Sequence, residues 1–178
     1  MSKAPYSSLA LVAAMALTGC ATASIVSVKS PAYQGTPRSL LIIAALGPTF
    51  QSHTLAQQPP DDSQTRFKRK ISAVLRACGI SPEIEIVDGV ATPAKSDGSA
   101  QSSTPDAILR IQAVWATSRG MTAFHLDMTS GTGAAVLWQA DMSFHAGGSE
   151  SDNGNVLAKT FIGQMVQDEI LPQSCVFL

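Results

Sequence analysis

Leu40-Leu41-Ile42-Ile43-Ala44-Ala45-Leu46 is a seven-residue apolar run closed by Gly47-Pro48. It is shorter than an ordinary helix, carries adjacent isoleucines and ends at a turn dipeptide. That pattern predicts a central strand covered on both faces. Residues 49–60 are polar and Gln-rich and read as a loop. A helix is predicted over 63–78, because Phe67, Ile71, Val74, Leu75 and Cys78 recur at helical spacing. Lys68, Arg69, Ser72 and Arg76 take the opposite side. Asp61, Asp62 and Ser63 supply capping oxygens at its start, and Gly79 supplies the stop.

The chain then changes period. Glu83-Ile84-Glu85-Ile86-Val87 alternates and predicts a strand with Ile84 and Ile86 inward. Residues 89–105 (GVATPAKSDGSAQSSTP) have little to bury and read as a flexible insertion. Residues 106–116 predict a strand with Ala107, Leu109, Ile111, Ala113 and Trp115 on one side. Ile108, Arg110, Gln112 and Val114 fall on the other. Two further strands follow, with Phe124, Leu126 and Met128 inward in the first and Val136, Trp138, Ala140, Met142 and Phe144 inward in the second. A last helix is predicted from Asn155 onward, stopped by Pro172. The expected fold class is α/β (α+β): one mixed β-sheet with two helices packed on one face.

The N-terminus reads as an address. Lys3 gives a short positive region, and residues 9–17 (LALVAAMAL) are apolar but too short to span a hydrocarbon core of about 30 Å. The run ends in Leu17-Thr18-Gly19-Cys20, which resembles the bacterial lipobox. The resemblance implies cleavage before Cys20 and acylation, palmitate included, of that cysteine. Ordinary secretory cleavage near Ala21-Thr22-Ala23 is the alternative. Several acyl chains on one cysteine give stable anchoring where one chain does not. Ala21, where an Asp would stand for inner-membrane retention, implies the outer membrane by resemblance to the enterobacterial sorting rule, with the domain facing the periplasm. The expected organisation is a signal peptide at 1–19, a flexible tether at 20–39 and one domain at 40–178. Residues 24–29 of the tether also suit an edge strand.

Cleavage would remove Lys3 from the 12 Lys and Arg, leaving 11 against 13 Asp and Glu. That balance gives no reason to expect nucleic acid. The basic run Arg66-Phe67-Lys68-Arg69-Lys70 falls in the predicted helix and reads as a solvated face rather than a phosphate patch. With Cys20 acylated, Cys78 and Cys175 remain as an even pair in an oxidising compartment, a disulfide candidate. The alternative is two unpaired cysteines.

The element order resembles the small domains of envelope lipoproteins related to the N-terminal domain of TolB, the curli-secretion lipoprotein group and similar families. The residues that carry it are 40–46, the helix from Phe67 to Cys78, and Pro105-Asp106-Ala107-Ile108-Leu109 entering a strand. Trp138-Gln139-Ala140-Asp141 and the closing helix complete it. The resemblance implies a non-catalytic protein that serves assembly, secretion or transport at the envelope with a protein partner.

Chemistry candidates are few. His125 and Asp127 share a strand face, Gln139 and Asp141 share the phase of the next strand, and His145 follows. Brought into register, His125, Asp127 and Asp141 are candidates for a metal site or a His-Asp base. An open polar sheet face, where such residues are ordinary, is the preferred explanation of them. His53 reads as a solvated loop residue, and Ser143 and Ser149 lack a nucleophile-elbow context. No HExxH, GxSxG, paired CxxC, P-loop or dinucleotide fingerprint occurs. No cofactor is expected, and Trp115 and Trp138 read as core aromatics rather than a sugar or peptide platform. The leading expectation is a non-enzymatic, membrane-anchored scaffold. A module binding peptide, glycan or lipid is the alternative, with a metal-dependent hydrolase behind it.

Overall fold

The structure is a computed structural model that describes residues 22–33, 35–47, 63–87, 104–117, 121–147 and 150–175. The stretch read as a leader and lipobox, Cys20, His53, Ser149 and most of the 89–105 stretch read as an insertion lie outside the described residues. Eight elements run in the order β1 (Thr22–Lys29), β2 (Ser39–Ala45), α1 (Ser63–Ala77), β3 (Ser81–Ile86), β4 (Ala107–Ala116), β5 (Met121–Ser130), β6 (Val136–His145) and α2 (Glu150–Gln167). They build one six-stranded mixed sheet in the order β1-β6-β5-β4-β2-β3.

The topology follows from connection length. β2, α1 and β3 form a parallel crossover unit, and β4 returns to pair parallel with the other side of β2. Short turns make β4, β5 and β6 an antiparallel meander, and β1 closes the sheet against β6. Asp106 fastens the start of the meander. Its carboxylate accepts the amides of Arg38 (2.8 Å) and Ser39 (3.2 Å), while its own amide donates to the Ser39 hydroxyl at 2.9 Å. Its carbonyl accepts the Gly131 amide at 2.9 Å, and a Cβ on Gly131 would run into the Pro105 carbonyl.

Both helices pack on one face. Phe67 of α1 meets Phe161 of α2 with ring centroids 6.1 Å apart, over Leu40, Ile42, Leu109, Ile111, Leu126 and Trp138, all at most 1% exposed. Each helix ends the same way, with the amides of two successive residues bonded back to the last turn (Gly79 to Arg76 and Ile80 to Leu75; Glu169 to Val166 and Ile170 to Met165). The left-handed residue of that motif is Gly79 (φ 80°) in one helix and Glu169 (φ 57°) in the other. The bonded pair Cys78–Cys175, with Cα atoms 5.2 Å apart, staples the end of α1 to the chain beyond α2.

Five expectations change. Val136, read as inward, is 50% exposed, because the register of β5 and β6 shifts between Met128 and Thr129 and turns it to the other face. Of the stretch read as tether, residues 22–29 form β1, the edge strand that 24–29 also suited, hydrogen-bonded along its whole length to β6. β2 is interior to the sheet but buried on one face only, since Leu41 and Ile43 stay half-exposed on the side without helices. Its unbroken apolar run had implied two covered faces. Trp115 is not a core aromatic. The register of β4 slips between Ala113 and Trp115, and that extra residue turns Trp115 onto the opposite face, 46% exposed. Finally, α2 begins at Glu150 rather than Asn155; Asn153 and Gly154, which read as loop residues, are buried in its early turns.

Candidate functional site

The sheet face away from the helices carries three transverse rows, fixed by register. Trp115, Ala123, Ser143 and Ser24 form the first. Gln112, His125, Asp141 and Val26 form the second, and Arg110, Asp127, Gln139 and Val28 the third. Among the described residues no helix or strand covers this face. The alternation in β5 and β6 that buries Phe124, Leu126, Trp138 and Ala140 is what turns these side chains outward.

His125, Asp127 and Asp141 therefore come together as the phase of the sequence implied, but in two separate pairs. His125 Nδ1 lies 2.8 Å from an Asp141 oxygen. Asp127 instead faces Arg110, whose Nη1 donates to its carboxylate at 3.1 Å and to the Thr129 hydroxyl at 3.4 Å. Both partners of that second pair are about one-quarter exposed, whereas Asp141 is 84% exposed. A carboxylate engaged by a guanidinium is a poor metal ligand, and among the described residues no group of three or more His, Cys, Asp or Glu is placed to hold an ion. Ser143 makes no hydrogen bond to His125 among the described residues. The arrangement supplies charge-assisted pairs and a shaped surface, not an assembled nucleophile.

Two apolar side chains flank the pairs. Val26 and Val28 of β1 are 75% and 71% exposed, directly beside Asp141 and Gln139. At the Trp115 end an open groove of about 390 Å³ runs between Ser24, Val26, Trp115, Ala123, Asp141 and Ser143. The basic run sits on α1 with Lys68, Arg69 and Lys70 exposed, as a solvated helix face requires. His145 ends β6 in the open, opposite Thr22 and Met121.

Sequence reasoning missed the roles of Val26, Val28 and Arg110 on this face. The alternation along 22–29 was the available signal, but Thr22 and Ser24 share the phase of the valines, and Ser27 and Lys29 share that of Ile25. It missed Asp168 altogether. That carboxylate accepts the Ser27 hydroxyl at 2.5 Å, the Trp138 indole N–H at 2.6 Å and the Gln164 amide at 3.0 Å, and so holds β1 to the end of α2.

No protein-family model matches the chain, and no curated protein matches it. Among solved structures it is similar to the PelC dodecamer from Paraburkholderia phytofirmans at 18% identity and a TM-score of 0.43, over 79% of this chain and 95% of that one. A substituted variant of the same dodecamer is similar at 14% identity and a TM-score of 0.41, over the same shares. At these values the likeness carries no inference about what this chain does. No helix among the described residues is long and apolar enough to cross a membrane.

Proposed function

We propose that this chain is a non-enzymatic envelope lipoprotein, anchored through Cys20 in the outer membrane and facing the periplasm. Its uncovered sheet face holds a protein partner in an assembly, secretion or transport complex. The observation that carries the reading is that face. Among the described residues no element covers one side of the six-stranded sheet, where two adjacent valines more than 70% exposed lie beside the Arg110–Asp127 ion pair and the His125–Asp141 hydrogen bond. Adjacent apolar side chains rimmed by fixed polar groups are the makings of a contact surface. The leader and lipobox support the anchor, and the absence of any catalytic motif is consistent with a surface that works by being bound.

Affinity purification from membranes after mild crosslinking tests it. The wild type is expected to recover a reproducible envelope protein that a Val26→Asp, Val28→Asp variant of equal abundance loses. Recovery of both as free monomer would count against the reading.

A further inference from the structure

The register of the sheet fixes which residues share an end with the lipid anchor. β1 begins at Thr22, two residues past Cys20, and two extended residues reach at most about 7 Å. Acyl chains on Cys20 therefore bring the Thr22 end of the sheet to the bilayer surface, with no long spacer between. Thr22 pairs with His145, and His145 with Met121. The next row is Ala23, Phe144, Thr122 and Ala116, and the next is Ser24, Ser143, Ala123 and Trp115.

These three rows contain no Asp, Glu, Lys or Arg. Along these rows of the sheet the first fixed charge comes two rows further on, at Asp141, and the far end of β1 carries Lys29 against Glu169. The large apolar side chains exposed near the Thr22 end are Val114 and Trp115, at 55% and 46%. Trp115 owes its exposure to the register slip in β4, without which it would face the core. An indole has an apolar body and one N–H donor, which is why tryptophan concentrates at the lipid headgroup level. Ser24 lies four residues from Cys20, at most about 14 Å along an extended chain, so the indole in its row reaches the headgroups when the sheet leans onto its uncovered side.

Resting on the lipid-anchor reading above, we infer that the Thr22 end of the sheet is the membrane-facing end and that Trp115 is an interfacial anchor seated in the headgroup layer. The anchor then fixes orientation as well as location. The bilayer takes the Trp115 corner, and the Arg110–Asp127 and Val28 row points away from it toward a partner.

The chain has two tryptophans, and Trp138 is fully buried, so a change in emission on membrane contact reports Trp115. Full-length lipidated protein is reconstituted into phosphatidylcholine vesicles whose acyl chains carry bromine close to the headgroup, with unbrominated vesicles as reference. A blue shift and about two-fold quenching are expected, absent in a Trp115→Phe variant. Mass analysis of the N-terminal peptide separates the two possible failures. Lipid on Cys20 with identical emission in both vesicles overturns the membrane-facing assignment and leaves the anchor standing. Cys20 without lipid overturns both.

Discussion

The indole Nε1–H of Trp138 donates to the Asp168 carboxylate across 2.6 Å, joining the largest fully buried side chain to the turn that ends α2. The same carboxylate takes the Ser27 hydroxyl and the Gln164 amide, so one acid ties β6, β1 and α2 together. Asp168 sits at the negative end of a helix, where the dipole disfavours a carboxylate. Three donors offset that. Asp168→Ala leaves the buried indole N–H unpaired and is expected to cost about 2–3 kcal/mol in urea unfolding. Asp168→Asn, which keeps an acceptor, is expected to cost less. Equal losses for the two variants would show that the hydrogen bonds are not what the acid contributes.

The Cys78–Cys175 bond spans 97 residues of sequence. Chain-entropy arguments for a loop of that length give about 4–5 kcal/mol. A Cys78→Ser, Cys175→Ser double variant is expected to unfold at a correspondingly lower denaturant concentration, and reductant to shift the wild type but not the variant. A wild type insensitive to reductant under unfolding conditions would contradict the bond.

Glu169 occupies the left-handed position that Gly79 fills in the other helix. A non-glycine residue there costs roughly 1–2 kcal/mol in backbone sterics. Its ion pair with Lys29 spans 4.0 Å and is mostly exposed on the Glu169 side, so it offsets little of this. Glu169→Gly is expected to raise stability by about 1 kcal/mol, since the carbonyl that accepts Lys29 is retained. Gly79→Ala is expected to lower it by a similar amount. A destabilised Glu169→Gly would mean that the carboxylate matters more than the strain.

Burial, and then the neighbouring Asp106 carboxylate, hold the Tyr33 phenol above its ordinary value of 10.0. The folded state thus keeps the proton longer than the unfolded chain. Its contribution to stability is complete below pH 10.0 and is lost as pH rises through the higher folded value. Tyr33→Phe is expected to flatten the fall in unfolding midpoint above that pH, with little change at neutrality. An unchanged alkaline slope would place its cause elsewhere.

Most of the fold is written locally. The α1 stripe of Phe67, Ile71 and Leu75 with Gly79 behind it is a pattern set by neighbours, as is the alternation of Phe124, Leu126 and Met128. The register that puts Asp141 opposite His125 is set by the turn after Ser130 together with a one-residue shift between Thr129 and Met128. The slip at Val114 leaves no such trace. Ala113, Val114 and Trp115 are all apolar, so an inserted residue does not interrupt the pattern, and Trp115 reads inward until pairing turns it outward. The partners of Asp168 are equally hidden, because Ser27 lies 141 residues away and Trp138 lies 30. β1 is marginal for a related reason. Its inner phase of Ala23, Ile25, Ser27 and Lys29 is half-buried and mixed, and the contacts that hold it come from β6 and α2.

Site-specific photocrosslinking in the native envelope tests the contact surface most directly. A photoreactive residue is placed at Val28 on the uncovered face, and separately at Lys159 on the exposed side of α2. A discrete protein adduct is expected from position 28 and none from position 159. Adducts from position 159 alone, or from both positions alike, would contradict it.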